Sequence, residues 1–293
     1  MTASTAPTPL SVALIGAGRV GTAVALLLHE AGHKVVGVSS RTRESAKRAA
    51  SRLSCETFDH RSGLPAGDLV MIGAPDPAIE QVDREIASHI ESGTAVCHFA
   101  GSLGIGPLQS TTAAGGPPFA LHPVQSCPHV DAAVRRLPGS AWGVTCEPSR
   151  FEWAARLISQ DLRGVPVPVS DESRPTWHAA ASTVSNGIAG LMAGGEFILS
   201  SVGIETPEKI LGPLAAGTVA NALDAGGGIA ALTGPVVRGE SDTLRRHLDG
   251  LSASPTLVEV YKAAAVVVVR VAAQAGRISP EARDSLLNSL ESR

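Results

Sequence analysis

A chain of 293 residues, 44% of them hydrophobic, is long enough for about two domains and apolar enough for sizeable cores, which excludes global disorder. The net charge of −3, with both signs spread along the chain, excludes a basic nucleic-acid tract and an acidic tail. Aromatic residues make up only 3%, so the cores must pack from small and aliphatic side chains.

Residues 1–9 are rich in Thr, Ser, Pro and Ala, carry no basic-then-apolar signal, and read as a short loose tail. Val12, Ala13, Leu14 and Ile15 form a short β-branched run, the signature of a buried strand. It stops at Gly16-Ala17-Gly18-Arg19-Val20-Gly21, after which Val20, Val24, Leu27 and Leu28 repeat at helical spacing, and a second strand covers Lys34 to Ser39. A G-x-G-x-x-G between strand and helix within a strand–helix–strand unit is a dinucleotide fingerprint. Gly16 makes the tight turn, Gly18 allows close approach of a pyrophosphate, and Gly21 lets helix pack on strand. The helix start would offer N–H groups and a positive dipole end to the phosphates. NAD sites carry an acidic residue at the end of the second strand. Here Ser39-Ser40-Arg41-Thr42-Arg43 stands there instead, and hydroxyls with guanidinium groups suit a 2′-phosphate. The expected cofactor is NADP, bound by Gly16, Gly18, Arg19, Val20, Gly21, Ser40, Arg41 and Arg43, although Arg41 and Arg43 would also suit a solvated helix start.

Further on, a helix is expected over Thr42–Leu53, a weak strand over Cys55–Phe58, and a buried strand over Asp68–Gly73. The following Ala74-Pro75-Asp76-Pro77 turn falls at the carboxyl edge, where ligands of doubly wound sheets bind. Ile79, Val82, Ile86 and Ile90 give the next helix an apolar stripe, and Thr94–Phe99 reads as a fifth strand ending in His98-Phe99-Ala100-Gly101-Ser102. Residues 103–118 read as loop with a short helix. Strands are expected at Phe119–Pro123, Ser140–Cys146 and Val165–Val169, around a helix at Ser149–Leu162. After Asp171 only helical patterns remain: Ser173 to about Val202, Pro207–Ala225, Ser241–Leu248, Thr256–Ala275 and Pro280–Glu291. The fold class is therefore an α/β Rossmann-type doubly wound sheet over residues 10–170, then an all-α domain over 171–293. The apolar run Ala263–Val269 is far too short for a membrane span. Four scattered cysteines (Cys55, Cys97, Cys127, Cys146), with no C-x-x-C pair, suit reduced, mostly buried thiols in a cytoplasmic protein. No metal, membrane or nucleic-acid role is expected.

Three groups of residues could do chemistry. His178, Ser182, Ser185 and Asn186 share one face of the long helix, a polar stripe that would meet a ligand or serve as an inter-helix hydrogen-bond network. The loop Leu232-Thr233-Gly234-Pro235 through Arg238-Gly239-Glu240-Ser241 offers a hydroxyl and a guanidinium to a carboxylate, or merely joins two helices. His122-Pro123 follows a strand, where a histidine could transfer a proton or order the loop. His98 is a weaker case. His29, His33, His60, His89, His129 and His247 read as solvent-facing or loop residues. Without a G-x-S-x-G elbow, H-E-x-x-H pair or P-loop, hydride transfer by a bound cofactor is the simplest chemistry.

Gly16–Gly21, Ala74-Pro75-Asp76, His98–Ser102, His122-Pro123, Trp177-His178-Ala179-Ala180 through Ser185-Asn186, and Leu232-Thr233-Gly234-Pro235 through Arg238-Gly239-Glu240 together resemble a known family. It is the Rossmann-like family of the 6-phosphogluconate dehydrogenase-like superfamily whose C-terminal helical domain long lacked an assigned function. The resemblance implies kinship with pyrroline-5-carboxylate and ketopantoate reductases. It implies NADP-dependent reduction of a small 2-oxo acid, ketopantoate first, with a pyrroline-5-carboxylate-type imine or a non-catalytic dinucleotide sensor as alternatives. His178, Asn186, Ser182, Ser185 and His122 are the catalytic candidates. Ala74, Pro75 and Ser102 are further cofactor contacts, and Arg238 and Thr233 would hold the substrate's carboxylate. Dimerisation through the helical domain is expected by analogy. Two departures stand out: Trp177 replaces an aromatic of another kind, and Glu240 stands where Asp is common. No lysine lies between Lys47 and Lys209, so the lysine mechanism of better-known ketopantoate reductases does not carry over.

Overall fold

Strand β1 (Ser11–Ile15) and helix α1 (Arg19–Glu30) open the computed structural model, which describes residues 9–291. All but Pro9 of the expected N-terminal tail lies outside the described residues. Helix α1 ends where Gly32 turns back at φ +99°, with Ala31 N–H donating to the Leu27 carbonyl at 2.9 Å and His33 N–H to the Leu28 carbonyl at 3.0 Å. Strand β2 (Lys34–Ser39) follows, then α2 (Arg43–Leu53), whose start is capped by the Thr42 hydroxyl accepting from Ser45 N–H at 3.2 Å.

Strands β3 (Leu69–Ile72), β4 (Ala95–His98), β5 (Pro118–Pro123), β6 (Ala141–Thr145) and β7 (Val165–Pro168) complete a seven-stranded sheet in the order β2-β1-β3-β4-β5-β6-β7. The first five strands run parallel, β6 pairs antiparallel with β5, and β7 runs with β6. The chain leaves β1 in one direction to β2 and returns on the other side to β3, so the carboxyl ends of β1 and β3 form the switch point of a doubly wound sheet. Alternate strand residues feed two cores. Leu14, Met71, Cys97, Phe119 and Trp142 pack beneath α1, α2, α5 (Val130–Arg136) and α6 (Phe151–Arg156). Ile15, Val70, Ile72 and Val96 pack with Ile79, Val82 and Ile86 of α3 (Ile79–Ile86) and with Leu108, just before α4 (Gln109–Ala113).

Three expectations change. Cys55–Phe58 supplies only an isolated bridge, Thr57 to Val38, on the outer edge of β2; the strand ending at His98 is therefore the fourth. Helix α5 was not anticipated: its 7 residues are too few to establish a period, and its cap is the His129 ring accepting from Ala132 N–H. Of the cysteines only Cys97 is buried, its thiol pushed far up by desolvation, whereas the other three are half-buried.

The chain divides into two compact units that part between Ser182 and Thr183, inside helix α7 (Arg174–Ser201). The second unit continues with α8 (Pro207–Asp224), α9 (Gly228–Ala231), α10 (Ser241–Leu251), α11 (Pro255–Gln274) and α12 (Pro280–Glu291). Its core is Leu244, Leu248, Val269, Leu286 and Leu290 with Val236 of the preceding loop. Gly194 and Gly195 let α7 approach α11 and α8, since a Cβ there would stand 2.6 Å from Val260 and 3.0 Å from Leu211. No helix among the described residues is long and apolar enough to cross a membrane.

Candidate functional site

At the switch point, Gly16 takes φ +95° and its missing Cβ would lie 2.6 Å from the backbone of Gly73 and Ala74. Gly18 precedes α1 in an extended conformation without any side-chain cap, and the first turn of α1 carries no acidic residue. The helix therefore presents bare N–H groups and an uncompensated positive end. Gly21 packs α1 on the sheet as expected, its absent Cβ 3.1 Å from Gly73 Cα. Gly18 has a reason within the fold itself: its absent Cβ faces the Gly73 carbonyl oxygen at 2.8 Å, so the glycine seats the loop on the end of β3. Gly73 was missed, although its Cβ would stand 2.6 Å from the Gly16 carbonyl. The four glycines make one close-packed cradle, and its donors suit a pyrophosphate.

The residues expected to choose the nucleotide flank this cradle. Ala17 N–H donates to the Ser40 hydroxyl at 3.5 Å, while Arg41 and Arg43 are exposed at the start of α2. Arg19 is exposed and reaches the Pro128 carbonyl, Val20 is half-buried, and the Ala74-Pro75 turn leads from β3. Ser102 is half-buried in the turn after β4. Behind Ser40, the Ser39 side chain points inward to His60 Nδ1 at 2.8 Å, and His60 Nε2 lies 2.9 Å from Glu85. His60 and His33 are thus buried, against expectation. Each found polar partners from distant segments: His33 accepts from Leu10 N–H at 2.9 Å and lies 3.3 Å from Asp161.

Further along the same carboxyl edge stand His98 and His122. His98 is register partner of Ala120, so His122, two residues on, shares its face of the sheet. His98 is fully used: its Nδ1 accepts from Ala100 N–H at 3.1 Å and its Nε2 meets the Gly104 carbonyl at 2.8 Å. It orders the loop after β4, which Asp171 also fastens by accepting from Ile105 N–H at 2.8 Å. The first turn of α7 lies against this edge. The His178 ring meets His122 edge-on with centroids 5.3 Å apart, and it occupies the space a side chain at Gly101 would take. The Trp177 indole N–H donates to His122 Nδ1 at 3.1 Å and lies over Gly143. Arg174 is fully buried and clamps the β5–β6 pair, its Nε donating to the Thr145 hydroxyl at 2.7 Å and its Nη2 to the Ala120 and Gly143 carbonyls. Arg174 Nη1 and His178 Nδ1 are buried without a hydrogen-bond partner among the described residues.

Burial lowers the pKa of both His98 and His122 to about 4, with Arg174 adding to the effect at each and His178 at His122. Burial brings Arg174 down to about 10, so it keeps its charge at neutral pH. The edge is thus a fixed cation beside neutral imidazoles, an arrangement suited to negative charge growing on a ligand oxygen. Sequence reasoning brought His122 and His178 forward separately; their pairing, Trp177 and Arg174 were missed. The available signal for Arg174 was an arginine opening a long, largely apolar helix whose first turn carries no acidic residue.

Ser182 is half-buried and ends the first unit. Ser185 and Asn186 continue its helix face, exposed, in the second. Thr233 and Arg238 are exposed there too, and Arg238 already pairs its Nε and Nη2 with Glu240. Among the described residues no cluster of His, Cys, Asp or Glu could hold a metal.

Cradle, switch point and sheet define a Rossmann-type α/β domain followed by a helical region. Residues 2–123 match the model of the Rossmann-like domain, and residues 140–267 match that of a domain of unknown function, DUF2520. The chain thus matches the two domain models in succession, the Rossmann-like one first and DUF2520 after it. A search of the curated proteins returns no match. Among solved structures, the fold is similar to a Bacteroides fragilis protein provisionally designated an NADP oxidoreductase, with TM-score 0.74, 20% identity and 90% and 98% of the two chains covered. It is also similar to an imine reductase from Myxococcus stipitatus in complex with NADP+ (TM-score 0.62, 16% identity, 96% and 99% covered). A third likeness is to the pyrroline-5-carboxylate reductase of Coxiella burnetii (TM-score 0.57, 18% identity, 90% and 98% covered).

Proposed function

We propose that the protein is an NADP-dependent reductase of a small carbonyl or imine compound, a branched 2-oxo acid such as ketopantoate being the first substrate to test. The observation that carries this reading is the bare α1 N-terminus in its glycine cradle on the same sheet edge as the His122–His178 pair. NADP-linked names among proteins of the same fold support it. When bound, NADPH supplies the hydride.

The chain's own residues do the rest. Gly16, Gly18 and Gly21 shape the cradle, and the α1 N–H groups take the pyrophosphate. Ser40, Arg41 and Arg43 take the 2′-phosphate. As hydride reaches the acceptor carbon, charge grows on the attached oxygen or nitrogen, and His122 and His178 supply hydrogen bonds there in the field of Arg174. Ser182, Ser185 and Asn186 continue the helix face as substrate-orienting groups. Thr233 and Arg238 are the proposed carboxylate contacts, Arg238 exchanging Glu240 for substrate. A cyclic imine carboxylate is the second substrate class, suggested by the pyrroline-5-carboxylate and imine reductases of like fold.

The test follows NADPH oxidation with a panel of 2-oxo acids and cyclic imines. Turnover of one class is expected; tight NADPH binding without turnover of either would replace the enzyme with a dinucleotide sensor. NADPH should bind more tightly than NADH. Because a charge-assisted hydrogen bond is worth roughly 1.5–3 kcal/mol, Arg41→Ala should weaken NADPH about tenfold or more and leave NADH unchanged. Equal Kd values for the two cofactors in the unaltered protein would overturn the nucleotide assignment.

The protein is also proposed to form a homodimer through its second unit. Among the described residues, 12 of 13 exposed large hydrophobic residues lie in that unit. Val184, Ile188 and Leu191 make a stripe on α7, and Ile210 and Leu214 make another on α8, a concentration that an identical surface on a second copy would cover.

A further inference from the structure

The hydrogen bond between Trp177 and His122 fixes more than a ring orientation. An indole nitrogen donates and never accepts, so at 3.1 Å His122 Nδ1 is the acceptor. A neutral imidazole accepting at Nδ1 carries its proton on Nε2. The indole in turn has one seat: Gly143 is the register partner of His122 across β5 and β6, and a Cβ there would stand 2.8 Å from the indole Nε1 and Cε2. Glycine on one strand, tryptophan on the helix and histidine on the neighbouring strand thus form a stack in which only one tautomer satisfies the geometry.

We infer that Trp177 is a positioning residue that locks His122 as the Nε2–H tautomer, so that His122 enters the reduction as a neutral hydrogen-bond donor rather than as an imidazolium acid. This rests on the reductase reading. Hydride adds to the carbonyl carbon, the C=O π pair moves onto oxygen, and the Nε2–H bond steadies that oxygen. The proton that completes the alcohol comes from water. Protonating His122 would set an Nδ1–H against the indole N–H. The groups facing the ring from α7, Arg174 and His178, carry or can take positive charge, and both oppose that protonation as burial does.

The experiment uses the whole chain labelled with 15N-histidine, with His122→Gln to assign the ring. Long-range 1H–15N correlation at neutral pH is expected to show His122 as the single Nε2–H form in the unaltered protein. Trp177→Phe, with its thermal unfolding checked, should mix the tautomers and raise the ring's pKa from about 4 toward its ordinary value. With an accepted substrate it should lower kcat about tenfold or more while changing KM little, short of the roughly 10²–10³-fold loss that follows outright removal of a donor. An Nδ1–H or charged His122 at neutral pH in the unaltered protein overturns the assignment whatever the variant does. An unchanged kcat and pH profile in a folded Trp177→Phe overturns the positioning role. If the lock is found but no carbonyl or imine is reduced, the reductase reading and the donor role fall, while the tautomer assignment stands.

Discussion

His98 and His122 stand at the carboxyl ends of neighbouring strands, yet only one has a nitrogen to spare. His98 spends both nitrogens on the backbone of its own loop, whereas His122 spends one on Trp177. Both rings stay neutral in the folded protein down to pH of about 4, while in the unfolded chain they take protons near their ordinary value of 6.5. Between those limits the unfolded state binds more protons, so stability is full above about 6.5 and falls as the pH drops toward 4. Each unit of depression is worth about 1.4 kcal/mol. The urea midpoint should therefore drop steeply through this window, and less steeply in a folded His98→Gln variant; a pH-independent midpoint would contradict the burial of these rings. The sequence placed both histidines at the functional edge and put His122 first, but without the structural reason. Their difference lies in Gly104, 6 residues beyond His98, and Trp177, 55 residues beyond His122, and no local pattern announces either partner.

At the level of elements, local signals served best where one face is buried and a cap is conventional. Strands β1 and β2, α1 and the long α7 were legible from period and punctuation. Helix α5 and the reduction of Cys55–Phe58 to a single bridge were not, because the first is short and depends on a histidine cap and the second pairs with β2 at one residue only. The cradle was legible as a motif and only partly as a mechanism. Gly16 was read as a turn, Gly18 against a ligand and Gly21 as a packing residue, and the absent side chains of all three come close to Gly73 at the end of β3. It follows that Gly73→Ala, outside the motif, should damage the cradle as a motif substitution does. Its Cβ would press on the Gly16 carbonyl and on Gly21 Cα, backbone atoms with no rotamer to yield. A loss of about 1–3 kcal/mol in stability and a marked rise in the NADPH Kd are expected, measurable by denaturation and by cofactor fluorescence. Undisturbed binding would show that the β1 and β3 ends can part without cost.

For the whole molecule, the two units differ in how they use apolar residues. The first buries them on both sheet faces; the second buries a cluster around α10, α11 and α12 and leaves α8 with a single buried residue, Pro207. Leu214 and Leu223 of α8 are 65% and 76% exposed, values out of keeping with a helix that ends at solvent. If a second copy covers them, Leu214→Glu with Leu223→Glu should shift sedimentation from dimer to monomer while the sheet domain keeps its cofactor affinity. A monomeric unaltered protein at micromolar concentration would contradict the homodimer. The two-domain plan was legible from the switch in period near residue 171; what covers α8 was not, since a low-amphipathicity helix reads alike whether its neighbour is its own chain or another.

Ser39 and Ser40 look interchangeable at the end of β2, but they face opposite ways. Ser39 is committed inward to His60 and, through it, to Glu85. A carboxylate at position 39 would meet another acid across one imidazole, whereas position 40 opens toward the cradle beside Ala17. A lineage exchanging the phosphorylated nucleotide for the plain one therefore has a narrow path. The new acid must arise at position 40 and the arginines be lost around it, while the neighbouring serine is held by its bond to His60 for reasons unrelated to the nucleotide.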